Sequence, residues 1–382
     1  MIFKSVRDTV ALFYKNLRGW RTNRKIVVIE SDDWGSIRMP SREVYDQMLK
    51  LGYKVNECPY NSNDSVETSE DLELLFETLH KHKGGDIKPA VITANTVMAN
   101  PDFSKIEESG YKKYFYEPFT ATYERYNDSG QAFTLFKEGI KKSVFFPQFH
   151  GREHVNINRW LLGLRENDKK LIVAFKNKMF TVHEGGIISG RRDHLDAFGL
   201  GYSLENEIDP LTEIVKDGLR IFEETFGFKS ESIIAPCYIW GSNIERTFSE
   251  YGIKYIQGSS VQRAPDGENG EKLTSIRHYT GEKNRRGQVY LTRNVLFEPT
   301  EMGRKDAVER AIKGISVAFS LKKPAIISSH RVNYIGRINP ENRDQNLRLL
   351  DELLMRIIKK YPDVEFMHSA QLGNLISSTQ KN

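Results

Sequence analysis

Short apolar runs alternate with amphipathic helical patterns along most of the chain, and this alternation restricts the fold more than any other feature of the sequence. The runs are rich in β-branched residues, which is typical of parallel strands that are covered on both faces. They are residues 26–29, 90–93, 144–146, 232–234, 253–256, 289–291, 325–328 and 364–366. The helical patterns are residues 41–51, 71–82, 211–226, 243–251, 307–321 and 346–361. About seven or eight units predict an α/β fold, a (β/α)7–8 barrel that is closed, incomplete or distorted, rather than an open doubly wound sheet.

Three stretches are longer or more polar than simple crossovers require. Residues 52–88 and 95–142 are predicted to be insertions on the loop face, and residues 267–287 an exposed excursion. The chain shows no internal repeat and no linker rich in proline or serine. We therefore expect one barrel domain, residues 25–378, preceded by a basic amphipathic helical segment, residues 1–24.

The basic charge is concentrated at the start of the sequence. Residues 1–25 carry a net charge of +6, whereas the whole chain carries +5. The apolar residues of this segment fall on one helical face, and Gly19 is placed as a C-terminal stop. That face consists of Phe3, Val6, Val10, Phe13, Leu17 and Trp20. It either docks on the main domain, with its charges facing water, or contacts an anionic membrane surface or a partner groove through residues 1–20. A charge so confined argues against nucleic-acid binding.

The cysteine count and the hydropathy pattern bear on location. Two cysteines, Cys58 and Cys237, are too few for a disulfide framework or a thiolate zinc site. No run of 18 apolar residues and no signal-peptide core occurs in the sequence. We expect a cytoplasmic protein, with peripheral membrane contact as the alternative that the basic segment leaves open.

Polar groups follow several of the predicted strands, where reactive residues of parallel β/α folds collect. They are Asp32-Asp33, His150 with His154, Pro236-Cys237-Tyr238, and His330. Each has an ordinary explanation when taken alone, such as a helix cap or a structural imidazole. Together they predict a site for a first-row metal ion. Two imidazoles spaced i, i+4 on a helix would lie about 6 Å apart, and a carboxylate from another strand end would complete a two-His, one-carboxylate set. The neighbouring carboxylate would then accept a proton.

The sequence resembles the polysaccharide deacetylases of carbohydrate esterase family 4 over roughly residues 25–375. Their first motif is similar to Glu30-Ser31-Asp32-Asp33-Trp34-Gly35, and their His-x-x-x-His motif to His150 and His154. The third motif resembles Ala235-Pro236-Cys237-Tyr238, and the last resembles the apolar strand that ends at His330.

The resemblance implies a role for each matched residue. Asp32 would be the general base, and His330 would be the acid that protonates the leaving amine. The ligands of a divalent ion, zinc first and cobalt, nickel or manganese as alternatives, would be Asp33, His150 and His154. An oxyanion would be bound near Cys237, between Pro236 and Tyr238. The aromatic rings that could stack on a sugar are Trp34, Tyr238 and Trp240, and packing beneath the loops is their alternative role.

The sequence also departs from the family pattern. The family carries an arginine two positions before the proline of its third motif, where this chain has Ile234. Other arginines are candidates to pair with Asp32, and sequence does not rank them. They are Arg152, Arg191, Arg192 and Arg331. The family's carboxylate beside the terminal histidine is not recognisable, and Asn294 and Glu298 are candidates to replace it or are loop caps.

These observations lead to one function and two alternatives. The expected activity is metal-dependent removal of an acetyl or other acyl group from an N-acylated sugar or glycan precursor, with a carbohydrate as substrate. One alternative is an amidase that acts on a non-sugar C–N bond. The other is a carbohydrate-binding relative without turnover.

Overall fold

The computed structural model describes residue 10 and residues 12–182, 194–199, 204–266 and 272–380. Its strands are β1 (Ile26–Trp34), β2 (Ile92–Thr96), β3 (Ala99–Pro101), β4 (Tyr116–Pro118), β5 (Phe145–Phe149), β6 (Ser232–Ile234), β7 (Tyr255–Gly258), β8 (Val261–Asp266), β9 (Lys272–Arg277), β10 (Val289–Thr292), β11 (Val295–Leu296), β12 (Ala325–His330) and β13 (Glu365–Phe366).

The helices cover both the crossovers and the loop face. They are α1 (Arg42–Lys50), α2 (Pro59–Asn63), α3 (Ser69–Lys81), α4 (Phe103–Glu108), α5 (Phe119–Glu124), α6 (Ala132–Lys141), α7 (Ile157–Arg165), α8 (Lys169–Lys176), α9 (Leu204–Phe226), α10 (Ile244–Glu250), α11 (Pro299–Met302), α12 (Ala307–Ser320), α13 (Pro340–Lys360) and α14 (Ser369–Thr379).

The central sheet is parallel, in the order β10-β7-β6-β5-β2-β1-β12-β11, with β13 also paired to β1. The two end strands, β10 and β11, belong to one extended segment. Between them, the backbone N–H of Arg293 donates to Gly258 and that of Asn294 donates to Ile326. The two edges are thus joined by the chain itself, and no ladder between β10 and β11 is present in the described residues. The predicted α/β barrel is confirmed in its incomplete form.

The core lies between the sheet and the outer helices. Every residue of β1 is buried, and α3 packs against α6 and α13 on the outside. A capping box formed by Thr68 and Asp71 begins α3, and its leucines 72, 75 and 79 are fully buried. Each such leucine stabilises the fold by about 1.5–3 kcal/mol through the removal of apolar surface from water.

Several predicted boundaries are corrected by the structure. The stretch 52–88 contains a loop-face part up to Thr68, but Ser69–Lys81 is a crossover helix, and so is Ala132–Lys141 in the second stretch. Helix α9 begins at Leu204, seven residues before the predicted start at residue 211, and Pro210 lies inside it. The predicted excursion contains part of a two-stranded antiparallel ribbon of β8 and β9, and its residues 267–271 lie outside the described residues.

The N-terminal segment contacts the outside of the barrel beside the junction of β10 and β11. Its helix includes residues 12–16, and Gly19 follows with φ of 95°, as the predicted C-terminal stop requires. The Nζ of Lys323 donates to the carbonyls of residues 18, 19 and 20 at 2.7, 2.6 and 3.0 Å. The amide of Asn294 donates to Asn16 at 2.7 Å.

The apolar stripe of this segment is divided between two environments. Trp20 is half-buried and packs on a cluster formed by the sheet and α14, so this residue docks on the domain. In contrast, Val10, Phe13 and Leu17 are 63%, 41% and 50% exposed. The remaining stripe residues, Phe3 and Val6, lie outside the described residues. Among the described helices, none combines the length and the apolar character that crossing a bilayer demands.

Candidate metal centre

The carboxyl end of β1 turns two consecutive aspartates toward one site. In a regular strand neighbouring side chains point to opposite faces, but the register of β1 against β2 shifts between Ser31 and Trp34. Asp33 has φ of 76°, a left-handed conformation that aspartate adopts more readily than most residues. A bulge of this kind re-aims side chains, so Asp32 and Asp33 both line the same cavity.

Three buried side chains meet at this point. The Nε2 of His150 lies 3.3 Å from Oδ1 of Asp33, and the Nε2 of His154 lies 3.5 Å from the same oxygen. One nitrogen or oxygen from each of the three residues lies within 4.8 Å of the others. The predicted ligand set, drawn from two separate chain segments, is therefore brought together.

The chemistry of these groups fits a bound cation. The Nδ1 of His150 lies 2.9 Å from the carbonyl oxygen of Ile234, a hydrogen-bond acceptor that orients the ring so that Nε2 faces Asp33. Burial lowers the pKa of His154 to about 4, so this imidazole is neutral at physiological pH. Two imidazole nitrogens and a carboxylate oxygen that face one another form a donor set that suits a first-row divalent metal.

A loop, and not a helix, brings the two histidines together. Helical spacing was the predicted cause, but β5 ends at Phe149 and residues 150–156 contain no helix, so that explanation is wrong. The backbone N–H of His150 donates to Thr96, and the carbonyl of Gly151 accepts from Met98. These bonds hold the loop against the end of β2, and the two imidazole rings lie 5.2 Å apart between centroids.

Asp32 lies beside the ligand set and is paired with an arginine that the sequence did not indicate. The Nη2 of Arg293 lies 2.6 Å from its Oδ1, and Nη1 lies 2.8 Å from its Oδ2. The amide of Asn95 donates to Oδ1 at 2.7 Å. Burial on its own would raise the pKa of Asp32, but the guanidinium of Arg293 and the nearby imidazoles lower it to about 2. Asp32 is therefore ionised at neutral pH.

Two of the four arginine candidates from the sequence pair with other carboxylates. Arg331 binds Asp64 and Glu67 at 3.0 and 2.8 Å, and Arg152 binds Glu153 and Asp217. The other two candidates, at positions 191 and 192, lie outside the described residues. Arg293 directly follows β10, at the junction with β11, and it pairs with Asp32 in a chain that has Ile234 at the matched position of the third motif.

His330 is held by a carboxylate that the sequence did indicate. Its Nδ1 lies 2.7 Å from Oε1 of Glu298, and its Nε2 lies 3.7 Å from Oδ2 of Asp32. The amide of Asn333 donates to the other oxygen of Glu298 at 2.7 Å. Burial opposes the charge on His330, but Glu298 and Asp32 raise its pKa well above the usual value. The other candidate, Asn294, bonds Asn16, Pro324 and Ile326 and does not serve this histidine.

The third motif forms one wall of the cavity. Pro236–Tyr238 is a short 3-10 turn in which Cys237 and Tyr238 both have φ of 57°. Cys237 is exposed and lines the cavity beside Tyr238, whereas Pro236 is buried behind them. The hydroxyl of Tyr238 accepts a hydrogen bond from Arg293 at 3.1 Å, which connects this wall to Asp32.

The cavity has a volume of about 710 Å³ and reaches the ligand set directly. Its lining residues are Asp32, Asp33, Arg38, Glu57, Cys58, Pro59, Tyr60, His150, His154, Leu195, Ala235, Cys237, Tyr238, Glu301, Met302 and His330. Trp34 and Trp240 do not contribute to it. Both are buried in the core, Trp34 with its edge against Phe145 and Trp240 donating to Glu245. Both rings therefore pack in the core, and neither faces the cavity.

Comparison with known proteins gives distant structural likenesses only. No family model matches the sequence, and no curated protein matches it. A solved structure assigned as a polysaccharide deacetylase from Mycobacterium smegmatis is similar, with 9% identity, a TM-score of 0.46, and coverage of 95% of this chain and 94% of that one. Puue allantoinase has 11% identity, a TM-score of 0.44, and coverage of 93% and 91%. Peptidoglycan deacetylase PdaC from Bacillus subtilis has 8% identity, a TM-score of 0.36, and coverage of 94% of both chains.

Proposed function

We propose that the protein is a metal-dependent hydrolase that removes an acetyl or related acyl group from an N-acylated carbohydrate. The observation that carries this proposal is the convergence of Asp33, His150 and His154 in one cavity, with Asp32 on one side and His330 within 3.7 Å of Asp32. A ligand set, a proton acceptor and a proton donor within one cavity are the components that amide hydrolysis requires.

Asp33, His150 and His154 would hold the ion, for which zinc is our first choice because imidazole and carboxylate ligands suit it. When bound, a divalent metal polarises an acyl oxygen and lowers the pKa of water. Asp32 is placed to accept a proton from the attacking water. Arg293 and Asn95 fix the orientation of its carboxylate, so little rearrangement is needed when the proton moves.

His330 is placed to give a proton to the leaving nitrogen. Its pKa is raised by Glu298 and Asp32, while that of Asp32 is lowered by Arg293, so at neutral pH the acid is protonated and the base is ionised. Both groups are therefore in the state that the reaction needs before the substrate binds. The wall formed by Cys237 and Tyr238 would face the acyl oxygen.

Metal content and acyl release test this proposal together. We expect the purified protein to carry one divalent ion per chain, measured by elemental analysis, and to release acetate from one or more members of a panel of N-acetylated sugars. Asp32→Asn should keep the ion and lose about 10²–10⁴-fold in kcat. His150→Ala should lose the ion, and Glu309→Gln, an exposed change on α12, should alter neither.

Two results would contradict the proposal in different ways. Full turnover by Asp32→Asn would remove its assigned role. Stoichiometric metal in His150→Ala would place the ion elsewhere. Release of product only from a non-sugar amide would favour the amidase alternative, and sugar binding without any acetate release would favour a binding protein.

The N-terminal segment supports a proposal about location. Val10, Phe13, Tyr14 and Leu17 share one helical face and are all exposed, and exposed basic residues accompany them at positions 15, 18 and 21. An exposed apolar face with flanking cations fits the surface of an anionic membrane. We propose peripheral binding to such a surface. The cytoplasmic location itself stays a prediction.

Vesicle flotation tests the membrane proposal. We expect the protein to float with phosphatidylserine-containing vesicles and not with neutral ones, and binding to weaken as salt is raised. The double variant Phe13→Ser/Leu17→Ser should lose binding, whereas Leu51→Ser, at a residue that is 56% exposed on the domain, should retain it. Equal flotation of both variants, or no flotation of the unaltered protein, would contradict the proposal.

A further inference from the structure

Arg38 lies in the wall of the cavity, and it makes ion-pair and ring contacts but no hydrogen bond with the described residues. The residue is only 6% exposed, and it lines the cavity together with Asp33. Its Nη2 lies 3.6 Å from Oδ2 of Asp33, and its Nε lies 3.5 Å from Oδ2 of Asp64. Neither contact has the geometry of a hydrogen bond, and Nε of Arg38 and Oδ2 of Asp64 both lack a hydrogen-bond partner among the described residues.

The guanidinium group is nevertheless held in place. The rings of Tyr60 and Phe180 lie 5.3 and 5.4 Å from its central carbon, at distances typical of cation–π contacts. The hydroxyl of Tyr60 lies 3.5 Å from a carboxylate oxygen of Glu301, and this contact connects the ring of Tyr60 to α11. A fixed planar fork of donors is suited to binding a planar or tetrahedral anion through two hydrogen bonds.

Nearby charges do not fill this position. The other oxygen of Asp64, Oδ1, accepts a hydrogen bond from Nε of Arg331 at 3.0 Å. Asp33 directs its Oδ1 to the two histidines. The carboxylate of Glu57 at the cavity rim lies 3.3 Å from Lys54. Arg38 thus has ion-pair contacts at 3.6 and 3.5 Å but no hydrogen bond to the described residues, and a ligand with an anionic group would supply acceptors at hydrogen-bond distance.

We infer that Arg38 binds an anionic group of the substrate, a carboxylate or a phosphate, and that the protein selects N-acyl compounds that carry such a group close to the scissile amide. This inference rests on the proposed function, because the cavity that Arg38 lines is the one that holds Asp33, His150 and His154. Arg38 is then the residue that distinguishes an anionic acylated sugar from a neutral one.

Matched substrates test the inference by turnover. We would compare N-acetylglucosamine with N-acetylglucosamine 6-phosphate and with N-acetylmuramic acid, which add a phosphate and a carboxylate. One anionic compound should have at least about tenfold higher kcat/KM than the neutral sugar. Arg38→Met should remove this preference, and Arg38→Lys should reduce it, since lysine keeps the charge and loses the fork. Arg42→Met, at an exposed arginine on α1, should keep the preference.

A binding measurement separates this inference from the proposed function. In the Asp32→Asn background, loaded with metal, calorimetry should show tighter binding of an anionic sugar than of the neutral one, and Arg38→Met should abolish the difference. Metal content, measured in each variant, controls for an indirect effect through Asp33. An Arg38-dependent preference in binding without turnover of any sugar would contradict the proposed function and support the inference. Turnover with the same anionic-to-neutral ratio in Arg38→Met would overturn the inference and leave the function intact.

Discussion

Arg293 and Arg38 stand beside adjacent aspartates, yet their surroundings differ completely. Arg293 donates hydrogen bonds to Glu30, Asp32, Tyr238 and Ser328. Arg38 is just as buried and donates none to the described residues, although Asp33 and Asp64 lie within 3.6 Å. The hydrogen bonds of Arg293 are thus made within the protein. Arg38 lines the cavity, where its N–H groups can donate to a ligand.

The difference shows how the same residue type can serve stability or binding. A buried ion pair offsets the cost of desolvation only when its hydrogen bonds are complete. Arg293 meets this condition and fixes the orientation and ionisation of Asp32. Arg38 gives up that stabilisation, as functional sites commonly do, and each carboxylate near it already has another partner.

Removal of Arg293 should have the largest effect. Arg293→Met leaves the buried Glu30 with Ser369 as its hydrogen-bond partner, and Asp32 with Asn95. We expect a loss of about 3–5 kcal/mol in the free energy of unfolding, since a buried charge loses its counter-ion. Urea denaturation measures it. Arg286→Met, at an exposed position, should change stability by no more than about 0.5 kcal/mol. A loss below about 1 kcal/mol for Arg293→Met would show that the pair matters little to the fold.

The sequence predicts the reactive groups of this site well because they are local. Asp32-Asp33 and His330 end apolar strands, and parallel strands bring their carboxyl ends to one edge. The two histidines of the ligand set share a short segment, so their proximity follows from spacing alone. Their loop could not be distinguished from a helix, because a separation of four residues suits both.

The residues that hold Asp32 and Arg38 could not be predicted, because they are brought into place only when distant parts of the chain pack together in the barrel. Arg293 reaches Asp32 from 261 positions away, and only the junction of β10 and β11 brings it there. The aromatic residues that hold Arg38 come from positions 60 and 180. The strand-end position of Trp34 suits both the cavity and the core, and its ring is buried against Phe145.

Removal of Arg38 should cost less stability than removal of Arg293. Arg38→Met takes away two ion-pair contacts without hydrogen bonds, while Asp64 keeps Arg331 and Asp33 keeps the histidines. We expect a loss of about 1 kcal/mol in the free energy of unfolding, measured in the same urea series as Arg293→Met. A loss equal to that of Arg293→Met would contradict the distinction between the two arginines and would make Arg38 a structural residue.

The smallest effect concerns the third contact of Asp32, its approach to His330. Glu298 raises the pKa of His330, together with Asp32, against the effect of burial. Glu298→Gln removes that negative charge, so the pKa of His330 should fall. Since the protonated imidazole is the donor, the alkaline limb of the kcat/KM profile should move to lower pH by the same amount, while the acid limb, set by Asp32, stays in place. Glu309→Gln should leave both limbs unchanged. If the alkaline limb does not move in Glu298→Gln, His330 is not the acid. Arg293, Asn95 and His330 would then only orient the carboxylate of Asp32.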